Sequence, residues 1–166
     1  MSSLQALLRP PFRLYFCALV ALAVFELCFG ALYLQGVVHV YPCPLCIMQR
    51  YALTGIGLVA LVAAVHGRAG RIYGALVVVV ALLGVGVAVR QTWLQLYPSE
   101  ALACGPGLSR FVNDLPFAQW WPEFYESLGD CGAVEWTLLG LSIANWGLIT
   151  FVGVTVVTLW LILRRA

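Results

Sequence analysis

The chain has 166 residues, 63% of them hydrophobic and only 10% charged, with a formal net charge of +2 and a mean hydropathy of +0.96. That composition excludes an ordinary soluble domain and predicts an integral membrane protein. All nine basic residues are arginines and they form no dense patch, which argues against nucleic acid as a partner.

In chain order, residues 1–13 are short and polar with Arg9 and Arg13, and the apolar run 14–34 is long enough, at about 21 residues, to cross ~30 Å of hydrocarbon. The run is long for a signal peptide and no small-x-small cleavage site precedes the next segment, so it reads as a retained first transmembrane helix. Glu26 is the only acid expected inside a span. At that depth it calls for an interior partner, with Arg50 nearest by depth, for a proton role, or for a protonated packing role. Cys17 and Cys28 share this helix three turns apart, cannot bridge each other, and read as small apolar packers.

The loop 35–46 leads into Tyr41-Pro42-Cys43-Pro44-Leu45-Cys46, a Cys-x-x-Cys at the mouth of a second apolar run, 47–65. Two intervening residues allow a tight disulfide or dithiol, and a helix start stabilises a thiolate through its N–H groups and dipole. Arg50 follows one turn later, ~6 Å along the same face. A turn, 66–71, with Arg68 and Arg71 joins a third run, 72–89. The loop 90–145 carries Gln91, Gln95, Cys104, Cys131 and six of the seven acids, and the last run, 146–163, ends at Arg164 and Arg165. Within that loop Phe111, Phe117, Trp120, Trp121 and Phe124 alternate with charges. This suits a segment lying in the headgroup region, broken by Pro116 and Pro122.

Arg9, Arg13, Arg68, Arg71, Arg164 and Arg165 share the side of the termini and the 66–71 turn with no acid, which makes that side cytoplasmic. The predicted fold is therefore an all-α, four-transmembrane-helix bundle over the single domain 1–166. Both termini are cytoplasmic, and a long periplasmic loop contains a short interfacial helical segment. Cys43, Cys46, Cys104 and Cys131 then face an oxidising space. His39 and His66 read as loop and turn residues outside the chemistry.

Two cysteine pairs suit redox exchange, inert bridges or a four-thiolate zinc site. The 26 residues between Cys104 and Cys131 are unlike the short knuckles of structural zinc, so no metal is expected. Static bridges explain poorly a Cys-x-x-Cys at a helix mouth with an arginine one turn in. Four cysteines still allow three pairings.

Cys43-Pro44-Leu45-Cys46-Ile47 with Arg50, then Leu94-Gln95-Leu96-Tyr97-Pro98-Ser99, Cys104, and Gly129-Asp130-Cys131 with Trp136 and Leu139-Gly140-Leu141 downstream resemble the disulfide bond formation protein B family, DsbB. The resemblance covers nearly the whole chain. It implies a multi-pass protein of the bacterial inner membrane, its active cysteines facing the periplasm, that reoxidises the periplasmic thiol oxidase DsbA and passes electrons to the membrane quinone pool. On that pattern Cys104–Cys131 is bridged at rest and a DsbA thiolate attacks Cys104. Cys131 then attacks Cys43 of the Cys43–Cys46 disulfide, and Cys46 donates to ubiquinone, or menaquinone, through a charge-transfer complex. A DsbA potential of about −120 mV requires an acceptor at higher potential, which a quinone supplies. Arg50 is expected to hold negative charge on Cys46 or the quinone oxygens, and Gln91, Gln95 and Glu26 to line the quinone site. Some better-known family members carry a histidine where this chain has Gln91, and an amide does not titrate near neutrality. Two competing readings stand beside this one. A non-catalytic scaffold or metal-handling protein would hold structural external cysteines, and vitamin K epoxide reductase-like enzymes have a different motif order.

Overall fold

The computed structural model describes residues 10–67, 69–97, 104 and 106–164. Arg9, Arg68, Glu100, Arg165 and the Pro98-Ser99 pair lie outside them. Helix α1, Pro10–Cys28, passes directly into a π-helical turn, Phe29–Gln35. Helices α2, Pro44–His66, and α3, Gly70–Leu96, follow. Three short helices come next: α4, Pro106–Asn113, α5, Pro116–Trp120, and α6, Pro122–Tyr125. A two-stranded hairpin, β1 Thr137–Leu138 and β2 Leu141–Ser142, leads into α7, Ile143–Leu163.

Local chemistry sets these boundaries. Pro44 stands at the first turn of α2, where its missing N–H would be unpartnered anyway, and the Cys43 sulfur caps the helix by accepting from the Cys46 N–H at 3.2 Å. Gly67 closes α2 in the left-handed conformation, φ 64°, with its N–H on Ala63 O at 3.0 Å. The hairpin turns through Leu139 and Gly140, both at positive φ, as a two-residue connection requires. Ser142 then caps α7 by accepting from the Asn145 N–H.

Among the described residues four helices, α1 with its π turn, α2, α3 and α7, are long and apolar enough to cross a membrane, and they form a four-helix membrane bundle. Their outer faces carry exposed Leu14, Val65, Ile72, Leu83 and Leu163, as lipid contact demands. The buried core is built from all four: Phe16 and Leu19 of α1, Ile56 and Ala60 of α2, Val77 and Ala81 of α3, Phe151 and Val154 of α7. Small residues let the backbones approach, since lipid supplies no hydrophobic drive between helices. Gly84 is one such position: a Cβ there would enter the Phe151 ring. Near one end Tyr15 Oη hydrogen-bonds Thr158 Oγ1, and Gly74 packs on Ile162. The helix ends bearing Arg13, Arg71 and Arg164 therefore lie together.

Three expected details differ. Helix α3 runs past residue 89 to Leu96, so Gln91 and Gln95 are helical, not loop, residues. Helix α2 begins at Pro44, which places Cys46 in its first turn rather than in the loop 35–46. Cys17 is exposed on the outer face of α1 and packs in no core, whereas Cys28 is half-buried.

Candidate active site

At the end of the bundle opposite Arg13 and Arg164, the two cysteine pairs meet. Cys104 and Cys131 form a disulfide with their Cα atoms 6.1 Å apart. That bridge, Cys43 and Leu45 of α2, and Leu94 of α3 make one buried cluster, with Cys46 and Met48 packed against it. Cys43 and Cys131 are 2% and 1% exposed, so water is excluded between the pairs. The bridge also removes two of the four thiolates that a zinc site would need. Among the described residues no group of three or more His, Cys, Asp or Glu is placed to hold a metal.

Cys43 and Cys46 stand as a dithiol, sulfur to sulfur 3.0 Å, with Cys43 donating to Cys46. This donation, then burial, pushes the Cys43 thiol far above the ordinary cysteine range. A thiol so raised is protonated at every pH where an ordinary cysteine, near pH ~8.5, already titrates. In the reduced protein Cys43 should accordingly resist iodoacetamide up to about pH 9, with label appearing at Cys46 first by peptide mass mapping. Equal labelling of the two sulfurs would contradict this arrangement.

The loop is tied to α2 beside the cysteines. The N–H groups of Leu128 and Gly129 both donate to Pro42 O at 3.0 Å. Asn113 braces the same strap through three hydrogen bonds with Ser127. Deeper along α2, Arg50 Nη1 donates to Phe124 O and to Gln35 Oε1, both at 2.7 Å. Thr54 Oγ1 meets Tyr125 Oη. The short helices α4 to α6, separated at Pro116 and Pro122, dock around Ile47 through Val112, Ala118 and Tyr125. The π turn serves this clamp. It brings Gln35 onto Arg50 and sets Gly30 so close to the guanidinium that a Cβ there would stand 2.9 Å from Nη2.

Cys46, Arg50, Gln91, Gln95 and Glu26 all line one cavity of about 470 Å³, between α1 with its π turn and α7. Phe25, Phe29, Trp136 and Trp146 supply its apolar walls, Trp136 standing edge-on to Phe29 at 5.9 Å between centroids. The size and mixed lining match a site for one small organic ligand. A two-carbonyl ring fits the donor set. Arg50 keeps Nε and Nη2 protons beyond those on Gln35 and Phe124. Ser142 Oγ donates to Gln95 Oε1 at 2.7 Å, leaving the amide nitrogen as the group Gln95 offers a ligand.

The structure brings all eight expected residues to one region but assigns two of them different neighbours. Glu26 has Thr150 Oγ1 as its hydrogen-bond donor at 3.4 Å, rather than Arg50. Gln91 directs its amide nitrogen to the sulfurs, 3.0 Å from Cys46 and 3.3 Å from Cys43. Gln35, Gln49 and Thr54 escaped sequence reasoning. Gln49 and Thr54 follow Cys46 on α2, but position along one helix names no partner on another, and Gln35 carries no signal of its own.

Comparison with known proteins agrees with this geometry. The family described as "Disulfide bond formation protein DsbB" matches residues 13–161. Disulfide bond formation protein B of Azoarcus sp. (strain BH72) is 47% identical over 156 residues, covering 92% of this chain and 93% of its own. The protein of the same name from Aromatoleum aromaticum is 47% identical with the same coverage. That from Stutzerimonas stutzeri is 42% identical over 139 residues, 81% of this chain and 85% of its own. This chain belongs to the DsbB family of disulfide bond formation proteins.

Proposed function

We propose that this protein is a protein-dithiol:quinone oxidoreductase of the bacterial inner membrane that reoxidises a periplasmic DsbA-like thiol oxidase. The observation that carries the reading is the shared burial of Cys43 with the Cys104–Cys131 bridge at the edge of a ligand-sized cavity that Cys43 and Cys46 both line. One pair accepts electrons from a protein and the other releases them toward the bilayer.

A thiolate of the reduced partner attacks Cys104, forming a mixed disulfide and leaving the electron pair of the broken Cys104–Cys131 bond on Cys131. Cys131 then attacks Cys43 of the oxidised Cys43–Cys46 pair, and the electron pair of that bond goes to Cys46. The second partner thiolate resolves the mixed disulfide, and Cys104 is freed to re-form its bond with Cys131 as Cys43 is released. A bound quinone supplies the acceptor for two electrons and two protons. Arg50 places fixed positive charge beside Cys46 in a water-poor site, where such charge is most effective. The arginine-bearing end of the bundle faces the cytoplasm, so the cysteines face the oxidising side.

The test mixes detergent-purified protein with reduced DsbA and ubiquinone or menaquinone and follows quinone absorbance. Absence of turnover with intact cysteines and bound quinone would sink the proposal. Arg50→Met is expected to raise the KM for quinone or lower turnover by ~10- to 100-fold, the scale of one lost charged interaction in a desolvated site. Unchanged quinone kinetics in that variant would remove Arg50 from the chemistry.

A further inference from the structure

Gln49 and Gln91 are buried carboxamides at the site, 6% and 3% exposed. A buried carboxamide must have both ends matched. Gln49 Nε2 donates to Gln91 Oε1 at 2.7 Å, and Gln91 Nε2 donates to Cys46 Sγ at 3.0 Å and Cys43 Sγ at 3.3 Å. An amide has an acceptor oxygen at one corner and a donor nitrogen at the other. Because Gln49 presents a donor, the Gln91 oxygen must face it, and the nitrogen is left to face the sulfurs. Gln49 is itself held against Gly147 of α7, where a Cβ would collide with Oε1. The pairing of Gln49 with Gln91 thus sets which end of one amide meets the redox pair, and Gly147 leaves Gln49 the room to make it.

We propose that Gln49 and Gln91 form a carboxamide relay that gives the Cys43–Cys46 pair its direction, with Gln91 donating to the sulfur that receives the electron pair and Gln49 the positioning residue that keeps Gln91 turned that way. When the Cys131 sulfur bonds to Cys43, the Cys43–Cys46 bond breaks and its electron pair goes to Cys46. The Gln91 N–H lies nearer that sulfur than the other and favours that partition. Neither amide has a proton to lose, so the relay works unchanged across neutral pH. The proposal rests on Cys46 being the delivering sulfur.

An isosteric exchange reverses the relay. In Gln49→Glu an ionised carboxylate can only accept, so Gln91 must turn its nitrogen toward residue 49 and its oxygen toward the electron-rich sulfur. A protonated carboxyl donates again and restores the native polarity. The effect is thus switched by pH in a way that a packing role would not reproduce.

The test uses the full-length protein in detergent, with Cys104–Cys131 intact, Cys43–Cys46 reduced, and neither quinone nor thiol partner present. Iodoacetamide labelling of Cys46 is timed by peptide mass mapping between about pH 5 and 7, around the carboxyl and histidine ranges but below the ordinary thiol range. Gln91→Leu and Gln49→Leu should each slow labelling at neutral pH roughly tenfold. The double variant should be no slower than either, because one chain of bonds is cut twice. Gly147→Ala, which removes no polar group, should behave like Gln49→Leu. Gln49→Glu should match the native rate at the acid end and fall progressively below it as pH rises; it carries the test if the leucine variants do not fold. Additive losses, or a Gln49→Glu to native ratio flat with pH, would overturn the relay. Such a result would leave the oxidoreductase reading to its own turnover assay.

Discussion

Replacing Cys46 by alanine is expected to reduce quinone turnover to background, a loss of at least ~10³-fold, on the scale seen when a covalent mechanism loses its nucleophile. Cys43 and Cys46 both line the cavity, but Cys43 belongs to the buried cluster with the Cys104–Cys131 bridge, whereas Cys46 packs against that cluster from the first turn of α2. The same variant should still exchange Cys104–Cys131 with a reduced thiol protein, once per molecule, because that bridge depends on contacts with Cys43, Leu45 and Leu94 rather than on the Cys46 sulfur. Thiol counting and quinone absorbance read in parallel separate the two half-reactions. Wild-type quinone reduction by Cys46→Ala would refute its assignment, and failure to exchange with the thiol protein would show that the halves are not separable. Cys43→Ala should fail differently, since it removes the cap of α2 as well as the sulfur that Cys131 attacks.

The four spans were legible because ~20-residue apolar runs have few other uses, and their arginine flanks marked one end. The extension of α3 to Leu96 was not. Arg90, Gln91 and Gln95 look like the end of a membrane span, yet Gln91 and Gln95 stand one turn apart on a single face and are satisfied by sulfur and by Ser142. Polar residues inside a helix announce an end only when nothing across the bundle pairs with them. Cys43, Cys46 and Arg50 are legible from spacing, since they follow one another at a single helix start, whereas the pairing of Cys104 with Cys131 comes only with the resemblance. Gln49 is not legible in this way, because its role lies in Gln91 and Gly147 on two other helices. Depth along a helix likewise says nothing of azimuth: Arg50 is nearest Glu26 by depth, yet Thr150 of α7 faces it across the cavity, which suits the hydrogen-bonded packing role.

Gly129→Ala is expected to uncouple the two cysteine pairs. Gly129 lies flat on the backbone ahead of α2, and an added Cβ would drive into the Tyr41 carbonyl and come within 3.2 Å of both Pro42 C and Cys43 N. These neighbours are all main chain, so no flexible side chain can yield. The strap must lift instead, straining the Leu128 and Gly129 hydrogen bonds to Pro42 O and carrying Cys131, two residues on, away from Cys43. Overpacking of this kind costs about 1–3 kcal/mol in stability. The kinetic effect should be larger, because a displacement of ~1 Å between reacting atoms can cost ~10²-fold. Rapid acid quenching after reduction of Cys104–Cys131 should show electron transfer to Cys43–Cys46 slowed by about that factor. Quinone affinity and the labelling of Cys46 should hold, since Gly129 does not line the cavity. Transfer at the native rate in Gly129→Ala would mean that Cys131 reaches Cys43 from a strap that moves freely, and that the close packing of the two segments contributes nothing to the exchange.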